Sequence, residues 1–598
     1  MPRRDAACEQ NYADALSPNS ERIAHLVLSP GYRQIASMDR PGPAIWRSRY
    51  VHPTQWDQHF APLAMPRMLE DSVAAHCGRA LVDFLGRTYS YAEIWQEAQR
   101  FASGLQAAGL AKGDRVGLFL PNVPIYLSAY YGAMIAGCTV VNFSPLYSVE
   151  ELAAQVADSG TRLMVTVDVP ALLPTALEVL RGSQLETLVV GRFARMLPFW
   201  MGLGMRLLRR KELTPVPRQA DVAVWDDFLG QGAPAPVEID PVHDVALLQY
   251  TGGTTGTPKG AMLTHQNLTA NARQVAAIDP ERGLRDVIVG GLPLFHVFAN
   301  TCVLNRTVTN GGMIAMLPRF NAEQALAMLD RVEATAFPGV PTMYQALLDQ
   351  PSMARTDFSS LRVCISGGAA LSAPVKERFE KATQSRLIEG YGLTESSGVV
   401  STNPYLGDDR TGTIGHPLPA TDMRLLDKED PTRDAPPGEP GELAVHGPQI
   451  MAGYWNRPDA SAEVFVEIDG ERWLRTGDIA VIDDDGYARI VDRSKDMIAV
   501  GGFKVFPSQV EAVLLEHPQV KEALVIGVPD AYHGEMPRAY VALMPDAEVQ
   551  GPALAEWLNA RVGKHERVDS VVVRGELPKT MIGKLDRKAL RAEIAAAG

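Results

Sequence analysis

Tyr250-Thr251-Gly252-Gly253-Thr254-Thr255-Gly256-Thr257-Pro258-Lys259-Gly260 is the stretch from which the rest of the chain can be read. It follows an apolar run, Val245-Ala246-Leu247-Leu248, that reads as a buried strand. Three glycines and four threonines precede one proline and one lysine. Glycine lets backbone N–H groups approach an anion closely, threonine adds hydroxyl donors, and lysine adds a full positive charge. That is the composition of a phosphate cradle. The spacing is not that of a Walker A loop, in which Gly-Lys-Ser/Thr follows a first Gly after four residues. Taken alone, the stretch also fits a Gly/Thr-rich connector that touches no ligand.

Upstream and downstream, helical and strand patterns alternate. Tyr91 to Leu110 reads as an amphipathic helix that stops near Gly109, Arg115–Leu120 as a strand, Tyr126–Ala136 as a buried helix and Val140–Phe143 as a strand. Leu163–Val167, Leu188–Val190 and Asp286–Val289 continue the alternation, which points to a layered α/β domain. Arg362-Val363-Cys364-Ile365-Ser366-Gly367-Gly368-Ala369-Ala370 repeats the opening design, a strand running into a loop of small residues. Open α/β sheets hold ligands at such strand ends.

Four further blocks appear in order. They are Glu389-Gly390-Tyr391-Gly392-Leu393-Thr394-Glu395; Arg475-Thr476-Gly477-Asp478; Asp492-Arg493-Ser494-Lys495-Asp496 continuing to Gly501-Gly502-Phe503-Lys504-Val505-Phe506-Pro507; and Pro578-Lys579-Thr580-Met581-Ile582-Gly583-Lys584. Together with the first stretch they resemble the ordered signatures of the adenylate-forming superfamily. That superfamily holds acyl-CoA synthetases, adenylation domains of peptide synthetases and beetle luciferases. The resemblance runs from Phe60 to the C-terminus. Within it, Gly291-Leu292-Pro293-Leu294-Phe295-His296 and the 492–507 block look most like long-chain fatty-acid-CoA ligases.

The resemblance implies an α/β fold: a large multi-layer α/β N-terminal domain and a small mobile α+β C-terminal domain. Residues 1–58 are then an N-terminal extension, 59–494 the large domain and 495–598 the small one. It implies ATP, Mg2+ and CoA as ligands of a fatty-acid-activating enzyme. Phosphate binding falls to Thr251, Gly252, Gly253, Thr254, Thr255, Gly256, Lys259 and Thr394. Gly368, Ala369 and Ala370 border adenine, with Tyr391 stacked beside it and Glu389 and Gly392 in the same block. Asp478 and Arg493 hold ribose, and Glu395 is the magnesium ligand. Lys495 is the hinge, Gly501 and Gly502 belong to the face presented in the second half-reaction, and Lys584 is the catalytic cation. His296 is expected near the substrate carboxylate; a structural histidine is the other reading. The resemblance equally admits a carrier-protein loader, a ligase for dicarboxylic or aryl acids, and a luciferase-like oxygenase.

Bulk properties narrow the classes. A chain of 598 residues exceeds one core. A net charge of −13 argues against a general nucleic-acid binder. Cys8, Cys77, Cys138, Cys302 and Cys364 are scattered, which suits a reducing, cytoplasmic setting without disulfides or structural zinc. The start carries charges with no apolar core behind them, and the end is not a peroxisomal address. Oligomeric state, monomer or homodimer, is left open.

Residues 192–211 break the pattern. An apolar run from Met196 to Met205 carries Phe199 and Trp200 and is flanked by Arg192, Arg195, Arg206, Arg209, Arg210 and Lys211. It is about half the roughly 20 residues needed to span a bilayer. It reads either as a segment lying on an anionic membrane face or as an apolar excursion packed on the domain beneath snorkelling arginines. Pro198 interrupts any helix there.

Overall fold

The strand expected before the phosphate cradle is Val245–Thr251, buried along most of its length. It belongs to a computed structural model that describes residues 45–251, 258–281, 284–493, 496–500, 503–530, 532–545, 547–580 and 584–597. Gly252, Gly253, Thr254, Thr255, Gly256, Lys495, Gly501, Gly502 and positions 1–44 of the N-terminal extension lie outside the described residues. Among the described ones, Val245–Thr251 sits in an eight-stranded sheet. The order is Gly453–Tyr454, Lys259–Thr264, Val245–Thr251, Thr139–Asn142, Arg115–Leu118, Thr161–Val167, Thr187–Gly191, Val222–Val224. From Val245–Thr251 onward the pairs are parallel, whereas Lys259–Thr264 and Gly453–Tyr454 are antiparallel additions.

A second, nine-stranded sheet carries the other small-residue loop. Its inner strands are Arg386–Tyr391, Val363–Gly367, Ala336–Gly339, Val287–Gly290, Met313–Met316 and Ala80–Phe84, all parallel. Register pairs Ser366 with Glu389 and Gly367 with Gly390. The loops that leave these two strands, 368–370 and 392–395, therefore emerge side by side at one edge.

Helix Pro124–Ile135 lies between the two sheets. It is apolar on every face, and such a helix must be buried on every face. Its three tyrosines find partners for their hydroxyls: Tyr126 reaches Asn142 Oδ1 (2.8 Å) and the Leu294 carbonyl (2.9 Å), Tyr130 reaches Asn300, and Tyr131 reaches Asn305. Helix Tyr91–Ala107 packs beside it and begins at a reciprocal cap between Ser90 and Glu93. It stops before Gly109, whose φ of +79° no ordinary residue adopts cheaply.

A third, antiparallel sheet (Asp422–Leu426, Gly441–His446, Glu471–Ile482, Phe465–Ile468, with Ala488–Arg493 beside Glu471–Ile482) places Asp478 directly opposite Arg493. One continuous core runs from Met65 to Ala488, and separate cores begin at Ile498 and Leu524. The second lobe is an antiparallel sheet with one parallel edge strand, Val571–Arg574, and three helices, Pro507–Leu515, Gly551–Asn559 and Arg587–Ala597. Arg587 and Arg591 hold Asp496 at the lobe junction, 2.9 and 3.0 Å away. Upstream of the body, Trp46 is buried and Arg47 pairs with Asp422 at 2.8 Å, so residues 45–58 are docked on it.

The ends of the nine-stranded sheet are tied by a buried ion cluster. Arg306, almost wholly buried, contacts Asp279 at 2.9 Å and Asp286 at 2.8 Å, and Arg362 reaches both from the rim. Burial pushes the Asp286 carboxyl up, but Arg306 and Arg362 outweigh it and hold it below the ordinary carboxylate range. Its contribution is present above the unfolded carboxylate pKa and is lost as pH falls through the native value. Arg306→Leu leaves two buried carboxylates with Arg362 alone, so we expect a loss of about 3 kcal/mol in urea unfolding at neutral pH. The deficit should shrink as the medium is acidified.

Candidate active site

The floor of the cleft is the loop after Val363–Gly367. Gly368 has φ +83°, and Gly368, Ala369 and Ala370 are exposed to the cleft. Neighbouring Gly392 has a different reason to be glycine: a Cβ there would stand 1.9 Å from the Gly398 carbonyl oxygen. Glu389 supports the loop from behind rather than facing the open cleft. It is 8% exposed, its Oε1 takes a long 3.4 Å bond from the Leu371 N–H, and its Oε2 has no partner among the described residues. Burial pushes this carboxyl up to about 8, against the pull of the Leu371 N–H, so it is largely neutral at pH 7.

One wall is built by Asp478. Its Oδ2 accepts from the Tyr391 hydroxyl at 2.5 Å and its Oδ1 from Arg493 Nε at 3.1 Å. The carboxylate is buried and its strand neighbour is Arg493 itself, so the pair is set by sheet register. Burial first, and then Asp478, push the Tyr391 phenol well above its ordinary range, leaving it a donor. Lone pairs on Asp478 beyond these two bonds remain for hydroxyls of a ligand.

Beyond Tyr391 the same loop carries Glu395, which Tyr454 links to Lys259. Glu395 Oε1 accepts from the Tyr454 hydroxyl at 2.7 Å, while the Met451 N–H donates to the Glu395 carbonyl at 2.8 Å. Lys259 Nζ stands 5.2 Å from the Tyr454 ring centroid. The stem of the 252–257 loop is anchored by Asp158. This residue accepts from the Tyr250 hydroxyl (2.7 Å) and from Arg457 (2.6 Å), and its carbonyl accepts from Trp455 Nε1 (3.2 Å). Tyr454 and Asp158 were not singled out from the sequence. The Gly453-Tyr454-Trp455 run, an aromatic pair behind a glycine, is a local signal for Tyr454 alone.

Lys584 closes the cleft from the second lobe. A Cβ placed on Gly368 would fall 2.5 Å from Lys584 Cε and 3.2 Å from its Nζ, so the amine occupies space that only glycine leaves free. Its backbone is fixed by Thr580, whose N–H donates to the Lys584 carbonyl at 2.6 Å and whose hydroxyl accepts from the Lys584 N–H at 3.2 Å. Burial, and then Arg493, lower the ammonium pKa to about 8, with Asp478 opposing. His296 is within the field of the same amine. The Phe298 N–H donates to His296 Nδ1 at 3.2 Å, which puts the ring proton on Nε2. Burial and then the Lys584 charge lower this histidine to about 3, so it is neutral.

The structure thus brings Lys259, Gly368, Tyr391, Glu395, Asp478, Arg493, Lys584 and His296 around one cleft between two lobes. Among the described residues, no cluster of three His, Cys, Asp or Glu side chains forms a ready metal cage. Glu395 nevertheless fits a magnesium ion that takes most of its ligands from phosphate and water: Tyr454 fixes one carboxylate oxygen, and the other is unbonded among the described residues.

Two separately cored lobes, with a half-buried lysine of one set against Gly368 of the other, match the architecture of AMP-forming adenylating enzymes. The chain belongs to the AMP-binding enzyme family: that family's model matches residues 69–455, and the AMP-binding enzyme C-terminal domain matches 509–584. It is 37% identical over 554 residues to a long-chain-fatty-acid–CoA ligase of Bacillus subtilis, covering 92% of this chain and 98% of the relative. Its fold is similar to an anthranilate CoA ligase in complex with anthranoyl-AMP (TM-score 0.78, 26% identity, 91% and 100% of the two chains). It is also similar to ATP-bound MatB from Rhodopseudomonas palustris (TM-score 0.77, 27% identity, 89% and 99%).

A lysine with its pKa lowered to about 8 should react with amine reagents well below the pH that surface lysines need. Mass-spectrometric labelling against pH should give half-maximal modification of Lys584 near pH 8. Asp478→Asn removes the one opposing charge and should move that midpoint down; an upward move contradicts the arrangement.

Proposed function

We propose that the protein is an AMP-forming acyl-CoA synthetase that activates a medium- to long-chain fatty acid with ATP and passes the acyl group to CoA. The observation that carries this reading is the Lys584 amine inside the cleft, against Gly368 and beside His296, Asp478 and Arg493. The relatives add the acid: the Bacillus subtilis protein is a long-chain-fatty-acid–CoA ligase.

In the first half-reaction a carboxylate oxygen attacks the α-phosphorus of ATP. The bond from that phosphorus to the bridging oxygen breaks, and pyrophosphate leaves. Both reactants are anions, so the cation that bridges them aligns them and offsets their repulsion. Lys584 is that cation, and His296, neutral with its proton on Nε2, donates to the incoming carboxylate. Thr251, Lys259 and the loop 252–256 hold the phosphates, with Thr394 beside them. Asp478 and Arg493 take the ribose, and Tyr391 with the 368–370 loop takes the base. Glu395 would hold Mg2+, which when bound supplies further positive charge to the phosphate oxygens.

In the second half-reaction the thiol sulfur of CoA attacks the acyl carbonyl. The carbon–oxygen bond to AMP breaks, the thioester forms, the thiol proton is released, and AMP departs. Lys584 has no part in that step. A turn of the 495–598 lobe about Lys495, relative to the 59–494 lobe, would withdraw it and present the Gly501–Gly502 face, a hinge motion of the domain-closure kind. The same reading places the enzyme in the cytoplasm with residues 192–211 at the inner membrane face.

Lys584→Ala should cut acid-dependent ATP–pyrophosphate exchange by about 100-fold or more while sparing thioester formation from supplied acyl-AMP. Equal loss of both steps overturns the division of labour. The required form of Lys584 is the ammonium, which is present below its pKa and lost above it. Thus kcat/KM for adenylation should fall as pH rises through about 8. A panel of fatty, aryl and dicarboxylic acids, read as AMP and thioester, tests the substrate. Each methylene buried in an apolar tunnel is worth about 0.8 kcal/mol, so kcat/KM should climb with chain length and discriminate neighbours weakly. A peak at aryl acids would replace fatty acid as the substrate class.

A further inference from the structure

The segment 192–211 forms two short helices, Phe193–Met196 and Phe199–Leu208, with Pro198 between them as the N-terminal cap of the second. The second helix is seated in an unusual way. Met205 and Gly202 turn toward the body; a Cβ on Gly202 would lie 2.2 Å from the Ala194 carbonyl oxygen, so the helix is pressed down on its glycine. The large apolar side chains are left outside. Phe199 is 73% exposed, Trp200 77%, Leu207 66% and Leu208 87%, with Leu203 also exposed. At 100° per residue, Phe199, Leu203, Leu207 and Trp200 share an arc of about 100° on the solvent side. The reading of this run as an excursion packed on the domain fails for those residues. A surface helix that hides a glycine and presents phenylalanine, tryptophan and leucine to water has an apolar partner still to meet.

Charge says what that partner is. Arg192, Arg195, Arg206, Arg209, Arg210 and Lys211 are all exposed around the apolar arc. Arg195 pairs with Asp226 and Arg209 with Glu212; among the described residues no ion pair engages Arg192, Arg206, Arg210 or Lys211. Beside the helix N-terminus an open cleft of about 660 Å³ has Arg87, Arg195 and Arg206 on its rim and Pro198, Phe199 and Leu203 in its wall. Cations around an apolar centre complement a surface with anionic phosphates above hydrocarbon. The chain as a whole carries −13, which repels such a surface at range. At physiological salt, charges farther than about 8 Å are screened, so the local basic collar decides the contact. No helix among the described residues is long and apolar enough to cross a membrane, so the contact is with its face.

We propose that helix Phe199–Leu208 is a docking element for anionic phospholipid bilayers, lying in the plane of the interface with Phe199, Trp200, Leu203 and Leu207 immersed and the basic collar at the headgroups. This specifies the membrane contact named above, yet it does not depend on the ligase chemistry, since lipid binding is read without substrate.

The test is flotation of the full-length protein with vesicles of phosphatidylcholine alone or mixed with phosphatidylglycerol, alongside Trp200 emission taken as the difference from Trp200→Phe. Binding should require the anionic lipid, weaken with salt and bring a blue shift assigned to Trp200. Phe199→Ser/Trp200→Ser should weaken binding by about tenfold or more, with the thermal unfolding midpoint unchanged. Arg206→Glu/Arg210→Glu should do the same while keeping the apolar arc. Equal binding to neutral vesicles, or unchanged binding in both double variants, overturns the proposal. So does a wild-type dimer, seen by sedimentation velocity without lipid, that Phe199→Ser/Trp200→Ser converts to monomer, because the face would then belong to a second copy. Loss of acyl-CoA synthesis with lipid binding retained would count against the ligase reading alone.

Discussion

A positively charged amine, half-buried against a bare stretch of backbone, is the contact on which this structure turns. Lys584 belongs to one lobe and Gly368 to the other, and the amine fits because position 368 has no side chain. Burial and the nearby Arg493 oppose its charge, and Asp478 is the compensating group. Such an amine is poised: its charge is stabilised further by an anion arriving between it and the wall, and it has little to hold it once that anion is gone. A cation with those properties suits a site that must gather two negatively charged reactants.

The rest of the large lobe serves to deliver loops to that point. Parallel strands in two sheets end at the cleft, and the register that pairs Gly367 with Gly390 sets the 368–370 and 392–395 loops together. The third sheet sets Asp478 opposite Arg493 by the same device. Between the layers the tyrosine-bearing helix Pro124–Ile135 ties Asn142 to the 294–305 segment through buried hydroxyls. Asp158 does comparable work nearer the site, linking Tyr250 at the end of strand Val245–Thr251 to Arg457 and Trp455, whose neighbour Tyr454 holds Glu395.

Strands and helices with strong periodicity were legible in advance. The helix from Tyr91 and the strands before both small-residue loops fall where the pattern placed them, to within a few residues. The motif residues Glu395, Asp478, Arg493 and Lys584 could be nominated because their neighbours in the chain are distinctive. Tyr454 and Asp158 could not, because each acts through a partner many positions away, and nothing local separates a clamping aspartate from a solvated one. Gly392 was assigned to the nucleotide, and the close approach of Gly398 gives it a packing role that only the folded backbone reveals. The basic, aromatic run at 192–211 had two readings. Which side of the helix faces out was decided by Gly202 meeting the Ala194 carbonyl.

By itself, then, the order of residues determined the layered α/β class, the presence of a second small unit and the chemical types gathered for an anionic ligand. The first follows from local periodicity, and the other two from the ordered set of short motifs and the family they resemble. Tertiary structure alone decided that Lys584 meets Gly368, that Asp478 is shared between Tyr391 and Arg493, and that Phe199 and Trp200 stand in water. These are facts about surfaces brought together across hundreds of residues, and they depend on which groups are desolvated and which backbone can be approached.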